Sequence, residues 1–318
     1  MDWEQRCIRL CAAVVAAAIA IRLCAGGALI PIGNALTTDE AAAFLIYLHT
    51  GRVVRTLPEP TETIPVPTET ETVTFTAEDA ELISIDYECD LRPDVAALLT
   101  EELELDLHGD GPKVLILHSH TTESYAQTTD RYEETSPYRT LDPGHNMIHL
   151  GKIVADILTE AGIEVLHDTD FHDYPSYNGA DNDAAASTKD ILARYPTIEL
   201  VLDLHRDAAD TPTGQLVTEC SVGGETAAQL MFVMGTDARL NHPDWERNMA
   251  LALKLQVLLE REHPGLCRDM ALSKNRYNQH LGDRALLIEI GAAGNTLAEA
   301  EIAARALGEA IVKLAGSA

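Results

Sequence analysis

The sequence predicts an α/β domain, a mostly parallel central sheet flanked by helices, preceded by an N-terminal membrane helix and a linker. The first observation behind this is a set of three short apolar runs that each end in polar, chemistry-bearing residues: Val114-Leu115-Ile116-Leu117 before His118-Ser119-His120-Thr121-Thr122-Glu123, Leu200-Val201-Leu202 before Asp203-Leu204-His205-Arg206-Asp207, and Ala285-Leu286-Leu287-Ile288 before Glu289. Runs of this length, rich in Val, Ile and Leu, read as buried strands. The second is the alternation of such runs with helical patterns, which favours parallel strands joined by helical crossovers. The third is an apolar stretch at the amino end, set apart from the rest by a Pro/Thr/Glu-rich segment.

Taken in order, residues 7–32 contain an apolar stretch near the ~20 residues that span a bilayer, with Arg6 and Arg9 on its amino side. Residues 1–35 are therefore expected to be a signal anchor, with Arg22 either snorkelling or marking the end of a cleaved signal. Thr38 can cap a short juxtamembrane helix. Pro58 to Glu71 alternates Pro, Thr and Glu, which cannot bury a core and reads as a stiff spacer. Residues 73–108 read as a small adaptor, with a strand at Val73–Phe75 and a helix after Pro93, so that 36–111 form a connecting region and 112–318 the main domain.

Within that domain the loop from Thr121 to Gly144 is long enough to suggest a function. A helix is expected from about Asn146 to a stop at Gly162, then a strand at 163–166, a helix over 183–194 and the strand ending at His205. Residues 215–234 read as a hairpin turning at Gly223-Gly224. A helix from Trp245 ends before Pro264-Gly265, and Thr296-x-x-Glu299 is a capping box that opens the last helix.

Charge and composition exclude some functions. With 23 basic and 51 acidic residues the chain carries a formal charge of −28, so a phosphate polymer would be repelled and nucleic acid is not an expected partner. The six cysteines include no C-x-x-C pair, which gives no support to a cysteine zinc site. No P-loop, nucleotide-binding glycine pattern or internal repeat is present.

Histidine and carboxylate at three strand ends are the donor set of a catalytic Zn²⁺ site, which takes three protein ligands. His118 and His120, two apart on an extended segment, would face the same side. His120 and Glu123 can share one ion if the chain curls there, and His205 sits in a matching position with Asp203 and Asp207 near enough to orient it. An acid inside an apolar strand is costly without a partner or a task, which makes Glu289 a candidate general acid/base. Trp245 and Tyr277-Asn278-Gln279-His280 are candidate substrate contacts.

The motifs Val114-Leu-Ile-Leu-His-Ser-His-Thr-Thr-Glu-Ser-Tyr125, His172-Asp-Tyr-Pro-Ser-Tyr-Asn-Gly179, Asp203-Leu-His-Arg-Asp207, Tyr277-Asn-Gln-His280 and Leu287-Ile-Glu-Ile-Gly291 stand in this order. Through them the chain resembles the stage II sporulation protein P family over about Pro112 to Leu314. The resemblance implies a zinc amidase-like fold and a membrane-anchored, zinc-dependent N-acetylmuramoyl-L-alanine amidase acting on peptidoglycan, with endopeptidase activity on crosslinks, at the engulfing membranes beside stage II sporulation proteins D and M. It implies zinc on His120, Glu123 and His205 with Glu289 as the catalytic acid/base, and His118, Arg206 and Asn278 in support. Two choices stay open: Glu123 or His145 as third ligand, and His118 or His120 as first. The competing readings are a catalytically silent wall-binding scaffold and a metal-dependent deacetylase or phosphoesterase.

Overall fold

The computed structural model describes residues 73–129, 131–212 and 214–316. The expected anchor, juxtamembrane helix and Pro/Thr/Glu spacer lie outside the described residues; among the described ones no helix is long and apolar enough to cross a membrane.

Seven strands form one sheet in the order β1 (Ile85–Tyr87), β10 (Met270–Ser273), β9 (Leu230–Gly235), β11 (Ala285–Ala292), β4 (Leu200–Asp207), β2 (Val114–Leu117), β3 (Val165–His167). Every neighbouring pair is parallel except β9 and β11, which run antiparallel from Leu287↔Val233 to Ile290↔Leu230. The crossovers include α2 (Met147–Glu160), α3 (Ala180–Arg194) and α4 (Trp245–Glu262), and the chain closes with α5 (Leu297–Ala315).

Strand alternation divides the sheet into a thick and a thin face. Val114, Ile116, Leu202, Leu204, Leu286, Ile288, Ile290, Phe232 and Met234 join α2, α4 and α5 in the main core. On the opposite face Leu115, Leu117, Val201 and Ala285 meet Ala184 and Ile191 of α3 in a much smaller cluster. Continuing that second parity along the strands puts Asp203, His205 and Glu289 on the thin face, near the carboxyl ends of β4 and β11. Ligand crevices of open α/β sheets lie outside these ends.

Local chemistry sets the helix ends. The Asn146 side chain accepts from Ile148 N at 3.0 Å to start α2, and Gly162, at φ +84°, turns the chain out after it. Helix α3 begins at Ala180, three residues before the expected 183, because Gly179 adopts φ +103° and lets the chain turn directly into the helix. Both halves of the Thr296/Glu299 capping box are formed.

Three expectations are corrected. Val73–Phe75 forms no strand; Phe75 instead packs under the Lys254 and Arg261 side chains. The residues read as an adaptor are built into the compact unit: Ile85–Tyr87 supplies its edge strand, and α1 (Val95–Thr100) receives the buried Lys254 ammonium on the carbonyls of Leu98 and Leu99. The expected hairpin holds only for β7 (Glu219–Val222) and β8 (Glu225–Ala228), with Gly223 and Gly224 at positive φ in the turn. Residues 230–235 leave it to join the main sheet, pairing parallel with β10 and antiparallel with β11, because their alternate residues Phe232 and Met234 are apolar enough for the core. A further pair, β5 (Asp210–Thr211) and β6 (Gly214–Gln215), projects after β4.

Candidate metal centre

After β2 the chain tightens into a turn, with Glu123 N bonded to His120 O at 3.1 Å. This curl brings His120 Nδ1 to 3.3 Å from Glu123 Oε1, and the same carboxylate's Oε2 lies 3.5 Å from His205 Nδ1. One donor atom from each of His120, Glu123 and His205 lies within 4.8 Å of the others. Glu289 is the register partner of His205 on the adjacent parallel strand. The residue as a whole keeps some exposure, but its Oε2 is shielded from solvent and has no hydrogen-bond partner.

The electrostatics call for positive charge at this spot. Burial works to raise the Glu123 carboxyl, but hydrogen bonds to His120 and His205 and the Arg206 guanidinium outweigh it and hold the group well below the usual range. Burial likewise opposes ionisation of Asp203, which His205 and two bonds from Ser119, at 2.8 and 2.6 Å, keep low. His205 is the counterpart: burial would strip its proton, yet Asp203 and Glu123 raise its pKa well above the ordinary imidazole value. Its Nε2 is 2.8 Å from Asp203 Oδ1 but not aligned for a hydrogen bond. Two carboxylates thus bind a proton on His205 where a divalent cation would satisfy the same charge, and the three donors are those Zn²⁺ accepts. Burial pushes Glu289 up to about 8, with His205 opposing the rise and Glu123 and Asp207 adding to it.

His118 takes no part in this group. The expectation that it shares a side with His120 fails because the strand ends at Leu117 and the next residues turn. His118 is fully buried on the thick face, its Nδ1 3.0 Å from Leu204 O and its Nε2 2.9 Å from His167 Nε2. A carbonyl only accepts, so Nδ1 carries the hydrogen and Nε2 accepts from His167. His145 is also elsewhere, 2.9 Å from Asp142 and with its ring tilted against that of Tyr132.

Arg206 donates its backbone N–H to Glu123 Oε2 at 3.2 Å and its side chain to the carbonyls of Ser124 and Tyr138, so it fixes the long loop as well as the carboxylate. Asn278 donates to Asp181 O at 2.8 Å and pins its own loop to α3; among the described residues no hydrogen bond joins it to the three donors. Trp245 is a core residue at the start of α4, and Gln279 is buried between Gly235 N and Val233 O. Tyr277 remains exposed, at φ +50°.

Sequence reasoning passed over Arg139, Asp173 and the stacking role of Tyr177. The Arg139 guanidinium lies 3.3 Å from Glu123 Oε1, 2.5 Å from Asp173 Oδ2 and 4.7 Å from the centre of the Tyr177 ring, which itself lies 4.8 Å from the His120 ring. Tyr177 belongs to a quoted motif, but nothing in spacing distinguishes Arg139 from the other residues of its loop.

Fold and site together define a layered α/β domain with a His-Glu-His cluster at the carboxyl ends of adjacent strands and an acid beside it. The chain belongs to the Stage II sporulation protein P family, whose model matches residues 61–312. A curated relative, stage II sporulation protein P of Bacillus subtilis (strain 168), is 30% identical over 210 residues, 62% of this chain, which spans about half that relative's length (50%). Among solved structures, the N-acetylmuramoyl-L-alanine amidase AmiC2 of Nostoc punctiforme matches 65% of this chain and 97% of its own at 13% identity and a TM-score of 0.39. The CwlD amidase of Clostridioides difficile, solved with the GerS lipoprotein, matches 64% and 95% at 12% identity and a TM-score of 0.34. At TM-scores under 0.5 these likenesses carry no argument about residues or activity.

Proposed function

We propose that the chain is a Zn²⁺-dependent hydrolase of the amide between N-acetylmuramic acid and L-alanine in peptidoglycan, working in sporulation. Family membership supports the process and the substrate class. The observation that carries the chemistry is the convergence of His120, Glu123 and His205 within 4.8 Å, beside a shielded, unpartnered oxygen of Glu289. An ion held there would polarise the scissile carbonyl and acidify a water molecule.

The chain's own groups supply the rest. Asp203 faces the far nitrogen of the His205 ring at 2.8 Å and the Arg206 N–H bonds Glu123, so two of the three donors have a charged or hydrogen-bonding partner behind them. Glu289 takes the proton of the attacking water at its free Oε2 and returns it to the leaving amine. Its raised pKa would keep it protonated at neutral pH in the ion-free protein; a cation beside it favours the carboxylate, the form a base requires.

The apolar stretch of residues 7–32 supports anchoring in a membrane with the domain on the extracytoplasmic side, and the family supports assembly with stage II sporulation proteins D and M. The test is zinc content of the purified chain together with release of new amine groups from sacculi. Stoichiometric zinc and chelator-sensitive amine release are expected. Glu289→Gln should retain zinc and lose hydrolysis by a factor of about 10² or more; normal turnover in that variant would remove Glu289 from the mechanism. His205→Ala should lose the metal, and full occupancy there would refute the donor set.

A further inference from the structure

Besides supplying Glu123, the loop from Thr121 to Gly144 reaches the centre through Arg139. Arg139 arrives on a backbone bridge to Glu123 itself, flanked by Ser124 N bonded to Tyr138 O and Thr140 N bonded to Thr122 O. Its guanidinium is mostly enclosed and makes four contacts with distinct consequences. Nη2 is 3.3 Å from Glu123 Oε1. Nη1 meets Asp173 Oδ2 at 2.5 Å and Thr122 Oγ1 at 3.2 Å. Its Cζ lies 4.7 Å from the centre of the Tyr177 ring, which in turn sits 4.8 Å from the His120 ring at a 31° tilt. Asp173 is itself held, accepting from Thr122 N at 3.1 Å and Thr122 Oγ1 at 2.6 Å. One cation therefore touches, directly or through one aromatic ring, two of the three metal donors, and it is braced against the loop that carries Asp173 and Tyr177.

We infer that Arg139 is a positioning residue for metal binding, a strut that orients Glu123 directly and His120 through Tyr177. The inference rests on the metal reading above. A carboxylate that binds a metal still has lone pairs pointing away from it, and a planar guanidinium offers N–H groups in a fixed fork suited to hold them. Arg206 already holds Oε2 through its backbone N–H and reaches Oε1 only at 3.8 Å, so Arg139, at 3.3 Å, supplies the nearer grip at Oε1. Without Arg139 the carboxylate keeps the Arg206 N–H at Oε2 and the more distant Arg206 Nη1, 3.8 Å from Oε1, so its last torsion is less constrained and the donors are less firmly preset. Lysine can supply the charge but not the fork, so it should restore only part of the effect.

The experiment is Co²⁺ affinity, measured by competition with a chromogenic chelator, together with the visible spectrum of bound Co²⁺, for the purified wild-type chain, Arg139→Met, Arg139→Lys and Asp173→Asn. Arg139→Met should bind about 10- to 100-fold more weakly, the usual scale for losing an outer partner of a ligand, and the spectrum should shift as the donor geometry loosens. Arg139→Lys should recover part of the affinity, and Asp173→Asn should weaken binding less than Arg139→Met does. Combining Arg139→Met with Asp173→Asn should add little, because both act through one strut. A purely structural role would lower the unfolding temperature of the metal-free chain while leaving the Co²⁺ spectrum and affinity of the folded fraction unchanged. That result, wild-type affinity in Arg139→Met, or additive effects in the double variant would overturn the inference. Should Arg139→Met fail to fold, Arg139→Lys and Asp173→Asn decide, and wild-type affinity in both would overturn it. A wild-type chain that takes up no Co²⁺ would sink the metal reading and this inference together.

Discussion

The two histidines that begin the first motif have opposite fates, and Gly151 shows why. A Cβ at Gly151 on α2 would stand 2.6 Å from Nε2 of both His118 and His167, so only glycine leaves room for the two imidazoles to meet beneath the helix. Gly151→Ala should therefore cost about 1–3 kcal/mol through overpacking, despite alanine's better helix propensity, read as a lower denaturant midpoint at unchanged slope. Burial, aided by the mutual repulsion of the pair, lowers His118 to about 3; burial lowers His167 to about 4. A histidine whose folded pKa is depressed adds stability that is complete above the unfolded pKa of about 6.5 and is lost as pH falls below it. Each should contribute a slope of about 1.4 kcal/mol per pH unit between roughly pH 6.5 and 4.5. His118→Phe should reduce the wild-type slope in that window by about one proton, and denaturation curves at four pH values would show it; an unchanged slope would mean that His118 is not buried neutral. The sequence showed two histidines after a strand but not this division, which depends on a chain turn and on a glycine more than thirty positions away. His205 and Glu289 were legible because each interrupts an apolar run, and Glu123 only as one of two choices three residues after His120, whereas Arg139 sits in a polar loop where one more arginine carries no signal.

At the scale of elements, strands that open on an apolar run were readable, and so were the caps: β2, β4, β11, the full length of α4 and the Thr296 box all follow from local pattern. Strands β1 and β10 were not, since Ile-Asp-Tyr and Met-Ala-Leu-Ser are three and four residues long and are made strands by their neighbours. Helix α1 was readable after Pro93, but its attachment to the domain, which runs in part through Lys254, was not. That side chain is 2% exposed on α4, and burial lowers its pKa while its ammonium donates to the last carbonyls of α1. A cation at a helix C-terminus satisfies groups that have no partner inside the helix. Lys254→Met keeps the apolar stem and removes the donor, leaving two buried carbonyls short of a bond at a cost of about 1–3 kcal/mol. Hydrogen exchange should then accelerate at residues 95–101 well before it does in β4 or β11. Uniform acceleration across the sheet would show instead that α1 and the core unfold as one unit.

For the whole molecule the dominant property is charge. A formal −28 over 318 residues produces a long-range field that repels a polyanion, and the stem peptides of the proposed substrate carry carboxylates of their own. The centre itself is locally favourable to cations, so the acidic surface does not interfere with holding a metal; it acts on encounter. Opposition between a repulsive surface and an anionic polymer is a rate effect that salt relieves, with a screening length near 30 Å at about 0.01 M falling to about 8 Å at 0.15 M. Amine release from sacculi under kcat/KM conditions should therefore rise as salt is raised from about 10 to 150 mM, while kcat at saturating substrate stays flat because the reacting groups are buried and little screened. Tethering to a membrane would make the same sense physically, since an anchored enzyme need not approach a like-charged wall by free diffusion. A fall in kcat/KM over that range would show that a basic patch on the enzyme steers the substrate in despite the net charge, and that the encounter surface lies away from the acidic faces.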